Sequence, residues 1–193
     1  RLSLVGSEMC IRDRTFPFRR PPGRRQIINC FPPASPAGGK PLKTQFYVLN
    51  ENIAGSEKLL DQAEVFIDFF TRNFGQYPWL KEKLGIVNTP YWGMEHQTII
   101  AYGNEYKDNE RGYDFLLLHE VAHEWWGNYL SVGDWSDFWI HEGFDTYAEA
   151  MYVEETYGMD SAIRFVEKRF KNNIKNKLPV VPKRNSTAKQ FSG

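Results

Sequence analysis

Apolar and polar positions alternate with a helical period in four stretches of the chain, which predict four helices. The first covers residues 56–73, with Ser56 as its N-cap and Gly75 just past its end. One side of this helix is expected to pack on the core, because apolar residues recur every three or four positions along it. These residues are Leu59, Leu60, Ala63, Phe66, Ile67 and Phe70.

The other three predicted helices cover residues 111–127, 137–157 and 160–175. The first of them carries apolar residues on more than one face, so we expect it to be largely buried. The second and third each begin with an aspartate as N-cap, Asp137 and Asp160. Gly158 separates them, because glycine readily ends a helix in a conformation that other residues avoid.

Two short strands are predicted before the second helix, at residues 84–87 and 98–102. We find no internal repeat in the chain. A strand-poor first part that is followed by consecutive helices favours an α+β fold. Prolines and glycines bound both strands, as is typical of strands between turns: Pro78, Pro90, Gly93 and Gly103.

The first 45 residues differ in composition from the rest of the chain. Seven of the 11 prolines lie between Pro17 and Pro41, and such a segment favours turns over regular structure. Residues 1–14 have no signal-peptide layout and resemble a translated sequencing adapter. We expect residues 1–45 to be a non-native or weakly ordered Pro/Arg-rich segment, and residues 46–193 to form the folded domain.

The overall composition is that of a globular protein, with 193 residues of which 41% are hydrophobic and 25% charged. No apolar run reaches the roughly 18 residues that a membrane span needs. The formal net charge of zero argues against a general nucleic-acid binder. Cys10 and Cys30 are too few for a disulfide framework or a cysteine-based zinc site.

Charge is unevenly distributed along the chain. Residues 46–160 carry six Lys or Arg against 21 Asp or Glu, and they also hold all six Trp and all four His. An acidic segment suits a metal cation or the cationic end of a substrate, although a solvated acidic surface would have the same composition. Any functional site is therefore expected within this segment.

The strongest chemical signal is a His-Glu-x-x-His sequence from His119 to His123, on the second predicted helix. Residues four apart lie about 40° apart around a helix, so both imidazoles can reach one metal ion. Glu120 lies about 100° round the helix from His119 and can reach a water on that metal rather than the metal itself. A catalytic zinc takes three protein ligands and leaves a fourth position for water, so a third ligand is required.

Glu142 is the best candidate for the third ligand, because it lies 19 residues after His123 on the next predicted helix. That gap allows the chain to end one helix, turn back and enter the next. Glu149 is seven residues further on, and positions seven apart differ by only about 20° around a helix. Glu149 could therefore accept the free N–H of a zinc-bound imidazole.

A buried helix that happens to carry two histidines is the alternative to a metal site. The helix is apolar around the motif, however, and burying two imidazoles and several carboxylates is costly unless they are paired or bound to metal. The spacing of the two glutamates on the next helix also agrees with a metal site.

Three separated motifs resemble the gluzincin aminopeptidases, which are zinc enzymes similar to aminopeptidase N and leukotriene hydrolase. The His-Glu-x-x-His motif is followed by WWGN at residues 125–128, and HEGF follows at residues 141–144. Upstream, GMEHQ at residues 93–97 is similar to the exopeptidase segment of the family. The resemblance covers roughly residues 46–193.

The resemblance implies a thermolysin-like catalytic domain, in which a small mixed sheet precedes a helical zinc-binding lobe. It implies one zinc ion held by His119, His123 and Glu142. It also implies that Glu120 is the general base that acts on a zinc-bound water.

The implied reaction is the removal of N-terminal residues from peptides. The resemblance implies that Glu95 pairs with the free α-amino group of the peptide. It also implies that Gly93 and Met94 belong to the same substrate-binding segment. The physics agrees, because an exopeptidase must recognise a cation at a fixed distance from the scissile carbonyl. A buried carboxylate does this, and a blocked N-terminus would leave its charge unpaired.

Two features depart from the family pattern. His96 stands where the best-known members have Asn, so the loop that it belongs to is expected to bind substrate differently. The family also uses a tyrosine well downstream of the third ligand to stabilise the oxyanion, and no tyrosine follows Tyr157. We therefore expect a truncated catalytic domain, whose partners are the missing N-terminal and C-terminal domains of a longer enzyme.

Two other functions are compatible with the sequence. A zinc endopeptidase of the thermolysin type would share the metal site but would not need Glu95. A catalytically silent metal-binding fragment is compatible with the missing tyrosine. A zinc-dependent epoxide hydrolase is a variant of the aminopeptidase interpretation, because some relatives have that second activity.

Overall fold

The computed structural model describes residues 25–30 and 42–171. These residues form β1 (Arg25–Cys30), β2 (Thr44–Leu49), α1 (Ile53–Phe74), β3 (Leu84–Asn88), β4 (Gly93–Met94), β5 (Ile100–Tyr102), α2 (Phe115–Ala122), α3 (Trp139–Tyr157) and α4 (Met159–Phe170). Two 3₁₀ turns, Asn50–Asn52 and Trp135–Asp137, come shortly before α1 and α3. The chain divides into two compact units, of which the first ends at Glu124 and the second begins at Trp125.

The strands form one mixed sheet in the order β1-β2-β3-β5-β4. The central strands β2, β3 and β5 are parallel, whereas β1 and β4 are antiparallel additions at the two edges. Phe46, Ile86 and Ile100 lie side by side in register across the central strands, and all three are fully buried. The sheet therefore supplies one wall of the core of the first unit.

Helix α1 packs against β2 and α2. Five of its six predicted core residues are buried, whereas Ile67 is only half-buried. Phe66 is fully buried, and its ring meets that of Tyr113 edge to face at 6.3 Å. Removing a Leu or Phe side chain from water contributes about 1.5–3 kcal/mol. This packing anchors α2, which carries the histidine motif. The buried residues of α1 are Ser56, Leu59, Leu60, Ala63, Phe66, Phe69 and Phe70.

In the second unit, α3 and α4 pack against each other. Gly158 ends α3 with a φ of 85°, which confirms the predicted stop. The buried residues Ala148, Val153 and Ala162 are small or medium in size. Such side chains allow two helices to approach closely.

The three predicted N-caps are wrong. Ser56 lies inside α1, where its buried hydroxyl donates to the backbone oxygen of Ile53 at 2.6 Å. Asp137 belongs to the 3₁₀ turn before α3, and Asp160 lies in the first turn of α4, after its N-cap Gly158. A capping side chain is only a weak local signal, and tertiary packing shifts the ends of helices by a few residues.

The helix predicted at residues 111–127 is shorter, because α2 begins only after Asp114 and ends at Ala122. Beyond it the chain forms turns, and Gly127 has a φ of 126°. The strand predicted at residues 98–102 begins at Ile100, because Thr98 has a φ of 59°, which is not a strand conformation. Strands β1, β2 and β4 are not among the predicted elements.

Parts of two predictions lie outside the described residues. One is the continuation of the last helix from residue 172 to 175, and the other is most of the segment 1–45. Within that segment β1 is described and pairs with β2, and the domain boundary at residue 45 stays a prediction. Within the described ranges, every helix is too short or too polar to cross a bilayer.

Candidate functional site

Asp114 determines where the motif-bearing helix α2 begins. Its Oδ1 accepts a hydrogen bond from the backbone N–H of Leu117 at 3.0 Å, which is an N-cap interaction. Its Oδ2 accepts from the hydroxyl of Tyr102 and from Nδ2 of Asn104. The backbone N–H of Asp114 donates to Oε1 of Gln62 at 2.7 Å. The start of α2 is thereby tied to β5, to the loop after it, and to α1.

The carboxyl group of Asp114 is fully buried. Burial raises the pKa of Asp114 above its usual range, although the hydrogen bonds from Tyr102, Leu117 and Asn104 favour the charged form. Burial and the neighbouring Asp114 also raise the pKa of Tyr102, so this hydroxyl remains a hydrogen-bond donor. The network is therefore a stable support for α2.

Helix α2 is surrounded by apolar side chains, as the sequence predicts. Within this apolar setting, His123 is 1% exposed and Glu120 is 4% exposed, whereas His119 is only half-buried. Burying such polar groups is costly unless each has a polar partner or a bound ion. The fully buried apolar residues of the helix are Leu117, Leu118, Val121 and Ala122.

His119 and His123 are one helical turn apart, and their Nε2 atoms lie 3.3 Å from each other. Two nitrogens that are each about 2.0–2.1 Å from one tetrahedral zinc ion are separated by about 3.3–3.4 Å. The two imidazoles therefore have the donor type and the separation that a shared zinc ion requires. The sequence predicted that both imidazoles could reach one ion, and the structure brings their Nε2 atoms close together.

Glu120 lies between these histidines in sequence and contacts strand β4. The contact is so close that a Cβ atom added to Gly93 would be 2.2 Å from Oε1 of Glu120. Glycine is therefore required at residue 93 if the Glu120 carboxylate is to keep its position. The structure brings together the predicted base and the first residue of the predicted substrate-binding segment.

Glu95 lies in the loop between β4 and β5, and its side chain is half-buried, whereas those of Met94 and His96 are exposed. The backbone N–H of His96 donates to the oxygen of Met94 at 3.0 Å, which makes a tight turn centred on Glu95. The N–H of Ile99 donates to the oxygen of His96 at 2.9 Å and closes a second turn. These bonds limit the positions that Glu95 can take.

Thr98 lies in the second of these turns with a φ of 59°. A β-branched residue is rarely found in this left-handed region, and the conformation costs about 1–3 kcal/mol. Surrounding contacts must therefore hold the residue there. One of them comes from Glu124, whose Oε1 accepts the N–H of Thr98 at 2.8 Å.

In the second unit, Glu142 lies in the first turn of α3 and is exposed. Glu149 lies on the same helix but is 1% exposed, and its Oε2 is 3.1 Å from Nη1 of Arg169 on α4. The prediction that Glu149 partners a zinc-bound imidazole is not tested by this contact and stays a prediction. His141 is buried, with its ring 4.8 Å from that of Phe138.

Sequence reasoning missed three buried carboxylates, Asp114, Glu124 and Asp145. Asp114 could have been recognised as an N-cap, because it directly precedes the apolar run of the motif helix. For Glu124 and Asp145 the sequence held no signal, because an acidic residue beside a metal motif is equally common on a surface.

A pair of histidines one turn apart on a buried helix, with a glutamate after the first, is the pattern of a zinc metallopeptidase. The chain belongs to peptidase family M1, because its residues 59–188 match the Peptidase family M1 domain. This match confirms the family resemblance of the three sequence motifs.

The chain is similar to longer aminopeptidases. It is 26% identical over 142 residues to mouse endoplasmic reticulum aminopeptidase 1, an alignment that covers 68% of this chain and 15% of that protein. It is 29% identical over 98 residues to mouse aminopeptidase B, which covers 50% of this chain and 15% of that protein. The chain therefore spans about 15% of the length of these relatives.

Two solved structures have a similar fold. An M1 zinc metallopeptidase from Deinococcus radiodurans aligns with a TM-score of 0.63 and 23% identity, over 81% of this chain and 34% of that one. Yeast LTA4 hydrolase aligns with a TM-score of 0.56 and 20% identity, over 73% of this chain and 22% of that one. The mixed α and β fold with a small sheet is thus confirmed, whereas the thermolysin-like and truncated character stay predictions.

Proposed function

We propose that the chain carries the zinc site and the substrate N-terminus site of an aminopeptidase. The observation that supports this most directly is the 3.3 Å separation of the His119 and His123 Nε2 atoms on a buried helix. Membership of peptidase family M1 and the similarity to aminopeptidases support it further. In this proposal residues 46–193 are part of a thermolysin-like catalytic domain that acts within a longer enzyme.

One zinc ion would be held by His119, His123 and Glu142. The two histidines have the required separation, and Glu142 presents an exposed carboxylate in the first turn of its helix. Two neutral imidazoles and a carboxylate suit zinc and leave a coordination position open. When bound, zinc would act as a Lewis acid that acidifies a water and polarises the scissile carbonyl.

Glu120 would act as the general base. Its carboxylate is buried beside Gly93, which places it between the motif helix and the strand that precedes the substrate loop. Oε1 or Oε2 would take the proton of the attacking water and later deliver it to the leaving amine. We expect Glu120→Gln to lower kcat by about 10²–10⁴-fold while zinc binding is retained.

Glu95 would select substrates with a free N-terminus. Its side chain is half-buried in a loop that two backbone turns constrain. The carboxylate could therefore bind the α-amino group at a fixed distance from the scissile carbonyl. Gly93 and Met94 would contribute the strand against which the first residues of the peptide lie. A peptide with an acetylated N-terminus would leave this carboxylate without its cationic partner.

Zinc stoichiometry of the purified chain tests the metal site. We expect one zinc per chain, with much weaker binding in His123→Ala and Glu142→Ala. Glu154→Ala is the matched control, because Glu154 is an exposed acid on the same helix as Glu142. Undiminished zinc in Glu142→Ala would show that another group is the third ligand.

Cleavage of a free and an N-acetylated form of one peptide tests the type of peptidase. We expect hydrolysis only of the free form. Equal rates for both forms would indicate an endopeptidase, and a zinc-loaded chain that cleaves neither would support the catalytically silent alternative.

A further inference from the structure

The loop that carries Glu95 is supported by a carboxylate that the proposed reaction does not use. Glu124 directly follows the second motif histidine in sequence and has no exposed surface. Its Oε1 accepts the backbone N–H of Thr98 at 2.8 Å, across 26 positions of sequence. The hydroxyl of Tyr77 donates to the backbone oxygen of Lys83 at 3.1 Å, and burial together with the nearby Glu124 carboxylate raises the pKa of Tyr77. Glu124 thus joins the end of the motif helix to the turn that follows Glu95.

The opposite side of Thr98 is held by strand β3. The N–H of Gly85 donates to the oxygen of Thr98 at 2.9 Å. A Cβ atom at Gly85 would be only 2.4 Å from that oxygen, so the strand and the loop are in close contact. The peptide groups on both sides of a residue with a φ of 59° are therefore bound, one by β3 and one by Glu124.

We propose that Glu124 is a positioning residue for the recognition of the substrate α-amino group by Glu95. This inference rests on the proposed function of Glu95. Without the Glu124 oxygen, only the hydrogen bond from Gly85 would hold Thr98 in its unfavourable left-handed conformation. A turn that relaxes there would move Glu95, three residues earlier. Glu124 is also the sequence neighbour of His123, a proposed zinc ligand. The hydrogen bond to Thr98 therefore connects the loop that carries Glu95 to the segment that carries this imidazole.

Amide exchange of Thr98 tests the hydrogen bond without any metal or substrate. In selectively ¹⁵N-threonine-labelled chain, we expect the Thr98 N–H to exchange slowly, and at least about 10-fold faster in Glu124→Ala. Glu124→Gln keeps an acceptor oxygen and should stay close to the wild type. Asp61→Ala, an exposed acid on α1, is the control that should change nothing. Equal exchange in Glu124→Ala and wild type would refute the support.

Ligand binding tests the consequence for recognition. The probes are L-leucine hydroxamate, which has a free α-amine, and N-acetyl-L-leucine hydroxamate, both titrated calorimetrically into the zinc-loaded chain. We expect the wild type to bind the free form about 10–100-fold more tightly, as for a charged hydrogen bond. This ratio should fall towards one in Glu95→Gln and also in Glu124→Ala. Loss of stability alone would weaken both ligands equally and leave the ratio unchanged.

Two further variants make the test decisive. Glu124→Asp keeps the charge but withdraws the oxygen by one methylene, so it should lose the preference even if Glu124→Ala does not fold. In the double variant of Glu95→Gln and Glu124→Ala, binding of the free form should be no weaker than in Glu95→Gln alone. An additive loss would show that Glu124 does not act through Glu95.

The results separate this inference from the proposed function. If the wild type does not prefer the free amine, the role of Glu95 is wrong and the inference fails with it. If the wild type has the preference and both Glu124→Asp and Glu124→Ala retain it, the inference alone is wrong.

Discussion

A methyl group at residue 93 would compete with the Glu120 carboxylate for space. A Cβ built on Gly93 would lie 2.2 Å from Oε1 of Glu120 and 2.9 Å from Cδ1 of Leu116. Ordinary contact begins at 3.4 Å, so the carboxylate oxygen has to move by about 1 Å. Leu116 and the rest of the buried helix restrict the directions in which it can move.

A misplacement of about 1 Å can lower the rate of a well-oriented reaction about 100-fold, which corresponds to about 2.7 kcal/mol in the activation free energy. We therefore expect Gly93→Ala to lower kcat for leucine p-nitroanilide by about this factor. The zinc content should stay at one per chain, because the atoms nearest to the new methyl group belong to Glu120 and Leu116. The unfolding free energy should fall by only about 1–3 kcal/mol, as for other overpacked sites.

The assay compares kcat, KM and zinc content of Gly93→Ala with those of Gly133→Ala. Gly133 is the matched control, because a Cβ there would have no heavy atom within 4 Å. The reasoning is refuted if Gly93→Ala has the kcat of the control. It is also refuted if Gly93→Ala loses zinc, because the effect would then not be confined to the base.

Three further predictions concern stability and pH. Asp114→Ala should lower the urea unfolding free energy by about 1–3 kcal/mol, because it removes a buried N-cap; an unchanged midpoint would contradict this role. Arg169→Ala should lower the melting temperature by more than Glu149→Gln, because only the first leaves the buried carboxylate of Glu149 charged without its partner. Hydrogen bonds from Lys58 and Gln62 outweigh partial burial and hold the pKa of Asp108 below its usual range. Asp108 should therefore contribute stability at neutral pH that is lost as the pH falls through its folded pKa, and Lys58→Met should weaken this dependence.

The sequence predicted α1, α3 and the close approach of His119 and His123 well. The metal-binding role of the two histidines stays a prediction. Their signals are local: apolar spacing over several turns for α1, and two histidines four residues apart for the metal site. A helical period converts such spacing directly into a shared face. The end of α3 at Gly158 was predicted equally well, because a helix stop depends on the conformation of one residue.

The strands were predicted less well. β2 is buried at four of its six positions, not at every second one, and β4 has only two residues, so neither has an alternating pattern to detect. Thr98 looked like part of a strand because threonine favours strands, but two long-range hydrogen bonds hold it in a left-handed turn. The three predicted N-caps failed for a related reason, since α1, α3 and α4 begin without a capping side-chain hydrogen bond.

The sequence by itself therefore determined a proposal for the chemistry: two histidines one helical turn apart that could bind a metal, and a glutamate directly after the first of them. Only the tertiary structure shows that Glu120 leaves no space for a side chain at residue 93, and that Glu124 is buried against the backbone of Thr98. Both depend on atoms of β4 and the β4–β5 loop meeting α2 and the residue just beyond it. Periodicity relates residues a few positions apart, whereas these contacts join segments more than 20 positions apart and arise only when the sheet and helices pack.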